Sequence, residues 1–247
     1  VDMDGQRHVE PDVESRPNKR PRAFRAPVRV PDRVILVMLP QGGRDDYQAL
    51  FHEAGHTEHY AHTDRDLAAE LRILGDNAVT EGFAFLLEHL TEDPRWLTSR
   101  LDFGPVREYV EFAALTKLYF IRRYAAKLTY ELELHRDADL LTLPARYADL
   151  LSDAIGVRYP TSDYLEDVDG GFYCTCYLRA WAFEAQLRDH LRGRYGDEWY
   201  RRPEAGSLLR ELWALGQSQT ADELLAEVTG SQIDFSVLAA EAHAALT

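Results

Sequence analysis

The spacing of apolar residues along this chain changes character near residue 45. Before that point, 33–39 is a β-branched and aliphatic run closed by Pro40 and the Gly42-Gly43 pair, which predicts a buried strand in a small sheet. Beyond it the period is close to 3.6. Tyr47, Leu50, Phe51 and Ala54 mark the apolar face of a helix that Asp45 or Asp46 would cap and that runs through about His62. A second helical stretch covers 66–90, with Gly75 predicted as its break. The long stretch 106–135 is rich in Tyr, Leu and Ala, and further helices are predicted at 145–155, 171–195, 204–215, 221–228 and 235–245. The expected fold is mainly α with a small β-sheet near the N-terminus.

The first 33 residues read differently. They hold five of the 11 prolines and eight basic side chains against six acidic ones. Proline fixes φ and removes backbone donors, so 1–32 is expected to be an extended arm, with at most edge strands such as 23–30. Residues 33–247 are expected to form the helical domain.

With 247 residues the chain has room for one sizeable core. Its formal charge of −14 argues against nucleic acid or an anionic membrane as a partner. The longest aliphatic run, 34–39, is far too short to span a bilayer. Cys174 and Cys176, two residues apart, do not suit a disulfide, and no second pair of ligands for a structural zinc stands near them in sequence. A reducing, cytoplasmic location is the expectation, with both cysteines as buried thiols.

Chemistry concentrates at His52-Glu53-Ala54-Gly55-His56. Two histidines four apart share a helical face and can grip one metal ion, leaving Glu53 to act on a metal-bound water. A catalytic zinc needs a third protein ligand. His62 sits at the right spacing for one zincin class, but His59 stands where that class needs a Gly to turn the chain back. Another spacing wants Glu near 75 or 76, where Gly75 and Asp76 stand. Glu81 follows His56 by 25 residues, opens a strongly apolar helical run and is the ligand chosen here. His59 and His62 are then expected at the surface or behind the ligands. Asp76 or Asp64 would orient a ligating imidazole.

Together, the His52–His56 motif, its spacing to Glu81 and a further Glu88 resemble the thimet oligopeptidase and oligoendopeptidase F family of zinc peptidases. The similarity extends upstream to Asn18-Lys19-Arg20-Pro21-Arg22-Ala23-Phe24 and downstream to Gly170-Gly171-Phe172-Tyr173, Tyr177, Trp181 and 221–225. It implies a zincin-like, neurolysin-like helical catalytic domain holding one Zn2+ through His52, His56 and Glu81, with Glu53 as general base on short peptide substrates. It also implies a missing N-terminal helical half forming the opposite wall of a channel. The family's oxyanion-stabilising positions are altered, with Asp167, Phe172, Cys176 and Arg179 standing in place of its His and tyrosines. Tyr173, Tyr177 and Arg179 are therefore the candidate donors to the developing oxyanion. The alternatives are a related helical metallocarboxypeptidase, in which Arg179 would receive the substrate carboxylate, and a degenerate zincin that binds without turnover.

Overall fold

In the computed structural model, which describes residues 8–136 and 139–247, a three-stranded sheet is followed by ten α-helices. The buried run predicted from its β-branched residues is β3 (Arg33–Val37), the central strand. β1 (Val9–Asp12) pairs with it in parallel and β2 (Phe24–Arg29) pairs antiparallel on the other side. The Pro/Arg-rich stretch thus supplies both edge strands between residues 8 and 32, whereas residues 1–7 of the predicted arm lie outside the described residues. Proline suits these places, because an edge strand has ladder positions that need no N–H. Lys19 fixes the stretch between the strands by donating to the Asp12 carboxylate and to the Glu14 carbonyl.

The helices are α1 (Arg44–His62), α2 (Ala69–Ile73), α3 (Asn77–Glu88), α4 (Pro94–Leu101), α5 (Val106–Leu134), α6 (Leu143–Ile155), α7 (Cys174–Tyr195), α8 (Pro203–Ala214), α9 (Ala221–Thr229) and α10 (Ser236–Leu246). Sequence periodicity missed α4, which is short. Its cues are local: Asp93 accepts from the N–H groups of Arg95 and Trp96, and Pro94 occupies the first turn.

Helix α3 lies at the centre, packed between α1 and α7. Phe83 and Leu86 point into a core shared with Phe183, Leu187, Trp213 and Leu225. Two glycines permit this closeness. A Cβ at Gly55 on α1 would fall 2.5 Å from Ala84 Cα and from the Phe83 carbonyl oxygen of α3. One at Gly82 would meet the Phe183 ring at 2.4 Å. A smaller core joins α5 to α6 through Tyr130, Leu143, Tyr147 and Leu151. Among the described residues, no helix is long and apolar enough to cross a membrane.

Candidate metal centre

Because α1 and α3 approach so closely, side chains from both converge on one point. The imidazoles of His52 and His56 stand one turn apart on α1, their ring centroids separated by 4.9 Å. Glu81 projects from α3, and its Oε2 lies 3.4 Å from the Nε2 of each ring. Each outer ring nitrogen already has a partner: Nδ1 of His52 donates to Glu88 Oε2 at 2.7 Å, and Nδ1 of His56 meets Thr80 Oγ1 at 2.8 Å. These contacts turn both Nε2 lone pairs inward. The structure corrects the sequence expectation for this orienting role. Asp76 instead caps α3 by accepting from Ala78 N–H, and Asp64 accepts from the N–H of Asp66.

This donor set fits a divalent cation. His56 Nε2 and Glu81 Oε2 are buried and make no hydrogen bond, a costly state for two polar atoms unless something binds between them. Two imidazoles and one carboxylate, all within 4.8 Å of one another, are the ligand chemistry of catalytic zinc. Charge supports the same conclusion. Burial pushes His56 down to about 4, so its imidazole is neutral at physiological pH. Burial acts likewise on His52, but the Glu81 and Glu88 carboxylates outweigh it and lift that group to about 10, so a cation binding there displaces a proton. For Glu81, burial favours the acid form, yet the two imidazoles prevail and hold it well below the usual carboxylate range.

Glu53 follows His52 on α1 and is buried. Its Oε2 accepts the backbone N–H of Arg25 on β2 at 2.9 Å. Burial raises its pKa against the pull of His52 and Arg25, which moves a carboxylate toward the range of a working base.

Of the three candidate donors, Tyr173 reaches the centre, its hydroxyl donating to Glu81 Oε1 at 2.9 Å. The chain turns sharply just before it, with positive φ at Gly171 and at Phe172. Tyr177 packs edge-on against Tyr173 and stacks on Tyr124 in an aromatic wall with Trp181. Burial raises both phenols, so they remain hydrogen-bond donors. Arg179 is committed elsewhere: its guanidinium lies 2.8 Å from Asp76 and 2.5 Å from Asp222, tying α7 to the start of α3 and to α9. Nor are His59 and His62 on the metal side. His59 is fully buried against the Gly216 carbonyl, and His62 donates to the Glu58 carbonyl.

Asp167 belongs to a structural hub, accepting from Arg123 and Tyr147 and lying 3.3 Å from Lys127. Contrary to the sequence expectation that no further ligands lie near the cysteines, Glu131 and Asp169 gather beside Cys174. There the Lys127 ammonium, 2.9 Å from Asp169, already supplies positive charge, and burial pushes the Cys174 thiol up to about 12, so it stays protonated. Cys176 is only half-buried.

No family model matches the chain, and no curated protein matches it significantly in sequence. Solved structures do match. A carboxypeptidase of Pyrococcus furiosus superposes with a TM-score of 0.74 at 17% identity, covering 98% of this chain and 55% of its own. Trypanosoma cruzi metallocarboxypeptidase 1 gives 0.66 at 18% identity, covering 99% and 55%. A candidate oligoendopeptidase F of Bacillus anthracis gives 0.60 at 15% identity, covering 96% and 39%. The chain has a helical metallopeptidase fold. That fold is common to both groups and does not single out the thimet oligopeptidase and oligoendopeptidase F family. The chain spans about half the length of the carboxypeptidase structures it matches.

Proposed function

We propose that the chain is the catalytic part of a zinc metallopeptidase acting on short peptides. The observation that carries this reading is the convergence of His52, His56 and Glu81 on one point, with Glu53 beside them and facing β2. Among the described residues β2 pairs with β3 alone, and the Arg25 N–H donates to Glu53 and not to that neighbour, so the outer edge of β2 faces the general base. An extended peptide laid along this edge would pass Glu53 with its backbone in register for hydrogen bonding.

His52, His56 and Glu81 would hold the zinc ion, which when bound would supply Lewis acidity to the scissile carbonyl and lower the pKa of water. The remaining work falls to the chain. Glu53 takes the proton of the attacking water and passes it to the leaving amine, a role suited to its raised pKa. Tyr173 keeps Glu81 in place. Tyr177, one turn further along α7, is assigned the hydroxyl that serves the substrate oxyanion. The wall opposite α1 and α3 is assigned to a second helical portion, since the similar structures are nearly twice as long.

Fold similarity to two named carboxypeptidases supports a second reading, in which only the C-terminal residue is released. Arg179 is then not the receptor for the terminal carboxylate, being held by Asp76 and Asp222. Metal-loaded wild type and Glu53→Gln, incubated with matched peptides bearing free or blocked C-termini, test both readings. Loss of cleavage by a factor of about 10³ or more in the variant is expected for a lost general base. Identical product profiles from the two proteins would overturn the hydrolase reading, and cleavage restricted to free C-termini would establish the carboxypeptidase form.

A further inference from the structure

Next to the metal centre lies a cavity of about 270 Å³, to which α1 contributes Gln48 and α3 contributes Phe85 and Glu88. Gln48, one turn before His52, and Phe85, one turn after Glu81, form its near wall together with Glu88. The cavity therefore begins against the same Glu88 carboxylate that orients His52. Its size is below that of a typical small-molecule site and suits one long side chain.

The lining is rich in carboxylates. Glu88, Glu92 and Glu184 contribute carboxylates, with Asp45 at the rim. Both cations of the lining are engaged: Lys117 lies 3.5 Å from Glu184 and from Glu241, and Arg44 lies over the rings of Tyr109 and Phe112. Glu184 is fully buried and balanced, since Arg188 donates to its Oε1 at 2.5 Å and the Lys117 ammonium stands 3.5 Å from its Oε2. Glu92 is the acidic group left short of a partner: among the described residues its ion contact is His89, at 4.0 Å. Burial lifts the Glu92 carboxyl to about 7, opposed by Lys117, the behaviour of a carboxylate short of positive charge.

We infer that this cavity is a specificity pocket for a basic side chain, lysine or arginine, of the peptide substrate, with Glu92 as the main contact. This inference rests on the peptidase reading above and adds the substrate class. A guest ammonium or guanidinium would pair with the Glu92 carboxylate, whereas a neutral or acidic side chain would leave it without a cation.

Binding separates this claim from turnover. Fluorescent peptides carrying either lysine or its uncharged isostere norleucine at each position in turn are titrated by anisotropy against metal-loaded Glu53→Gln protein. At one position lysine should bind at least tenfold tighter than norleucine, and the ratio should fall to near one in Glu53→Gln/Glu92→Gln. The near-isosteric change at Glu92 keeps the cavity filled, and circular dichroism melts verify that the double variant is folded. A ratio near one at every position in the parent, or a lysine preference unaltered by Glu92→Gln, would overturn the pocket assignment. Cleavage by wild-type protein is scored separately: absence of hydrolysis with an intact, Glu92-dependent lysine preference would remove the peptidase reading and keep the pocket.

Discussion

The phenolic hydroxyl of Tyr173 donates to Oε1 of Glu81 at 2.9 Å, joining residues 92 positions apart in sequence. It leaves Glu81 Oε2 as the oxygen that faces the two imidazoles. Partners behind a ligand typically change metal affinity by about 10- to 100-fold. Tyr173→Phe is expected to weaken zinc binding by that order, measured by competition with a chromophoric chelator, while the fold survives. Unchanged affinity would show that Glu81 needs no such support.

Among the described residues, Thr80 is the one hydrogen-bond partner of the buried His56 ring. Thr80→Val keeps the shape and removes the hydroxyl, so Nδ1 is left buried without a partner. A loss of about 1–3 kcal/mol in unfolding free energy follows for the metal-free protein, read from urea denaturation. Thr80→Ser, which restores the oxygen, should recover most of it.

Gly55 sets the distance between the helix that carries both histidines and the helix that carries the carboxylate. Gly55→Ala must push α1 off α3, since the contacts are backbone atoms that cannot rotate away. The expected cost is about 1–3 kcal/mol or more, together with substoichiometric zinc by elemental analysis. A variant with full zinc and unchanged stability would contradict the close approach.

Glu92 gives the protein a pH dependence of stability. Burial raises its pKa from 4.5 to about 7, with Lys117 opposing and Glu88 and Glu184 assisting. The folded state therefore binds the proton more tightly than the unfolded chain does. That stabilisation is fully present below about pH 4.5 and disappears as pH rises through 7. Urea midpoints should accordingly decline across this interval, and the decline should be shallower in Glu92→Gln. Parallel curves for the two proteins would remove Glu92 as the source.

Much of the centre was legible because its logic is local. The four-residue spacing of His52 and His56 follows from helix geometry, and Glu81 stood at the head of an apolar run that could only be a buried helix. β3 was readable from its β-branched residues, whereas β1 was not, since Val9–Asp12 is a short edge strand containing a proline and two acids. Partners set by tertiary contact were beyond periodicity. Nothing in the sequence around Arg179 shows that Asp76 and Asp222 hold it, and an Asp near a ligating helix looked as suitable for a histidine as Glu88 did. Thr80 carried a usable signal: it adjoins Glu81, and a residue next to a ligand on a helix lies close enough to reach the neighbouring ring. His59 was misjudged because its position on α1 also faces the chain from Gly216, 157 residues away.

All three donors for the cation come from α1 and α3, inside a stretch that opens at His52 and closes at Glu81. Joining the ends of so short a loop costs little chain entropy, so the grip can assemble before distant parts of the molecule arrive. The tyrosine latch belongs to a later event, the docking of α7. Injury to that helix should thus yield a chain that still captures its ion but holds it loosely, a loaded spring without its catch.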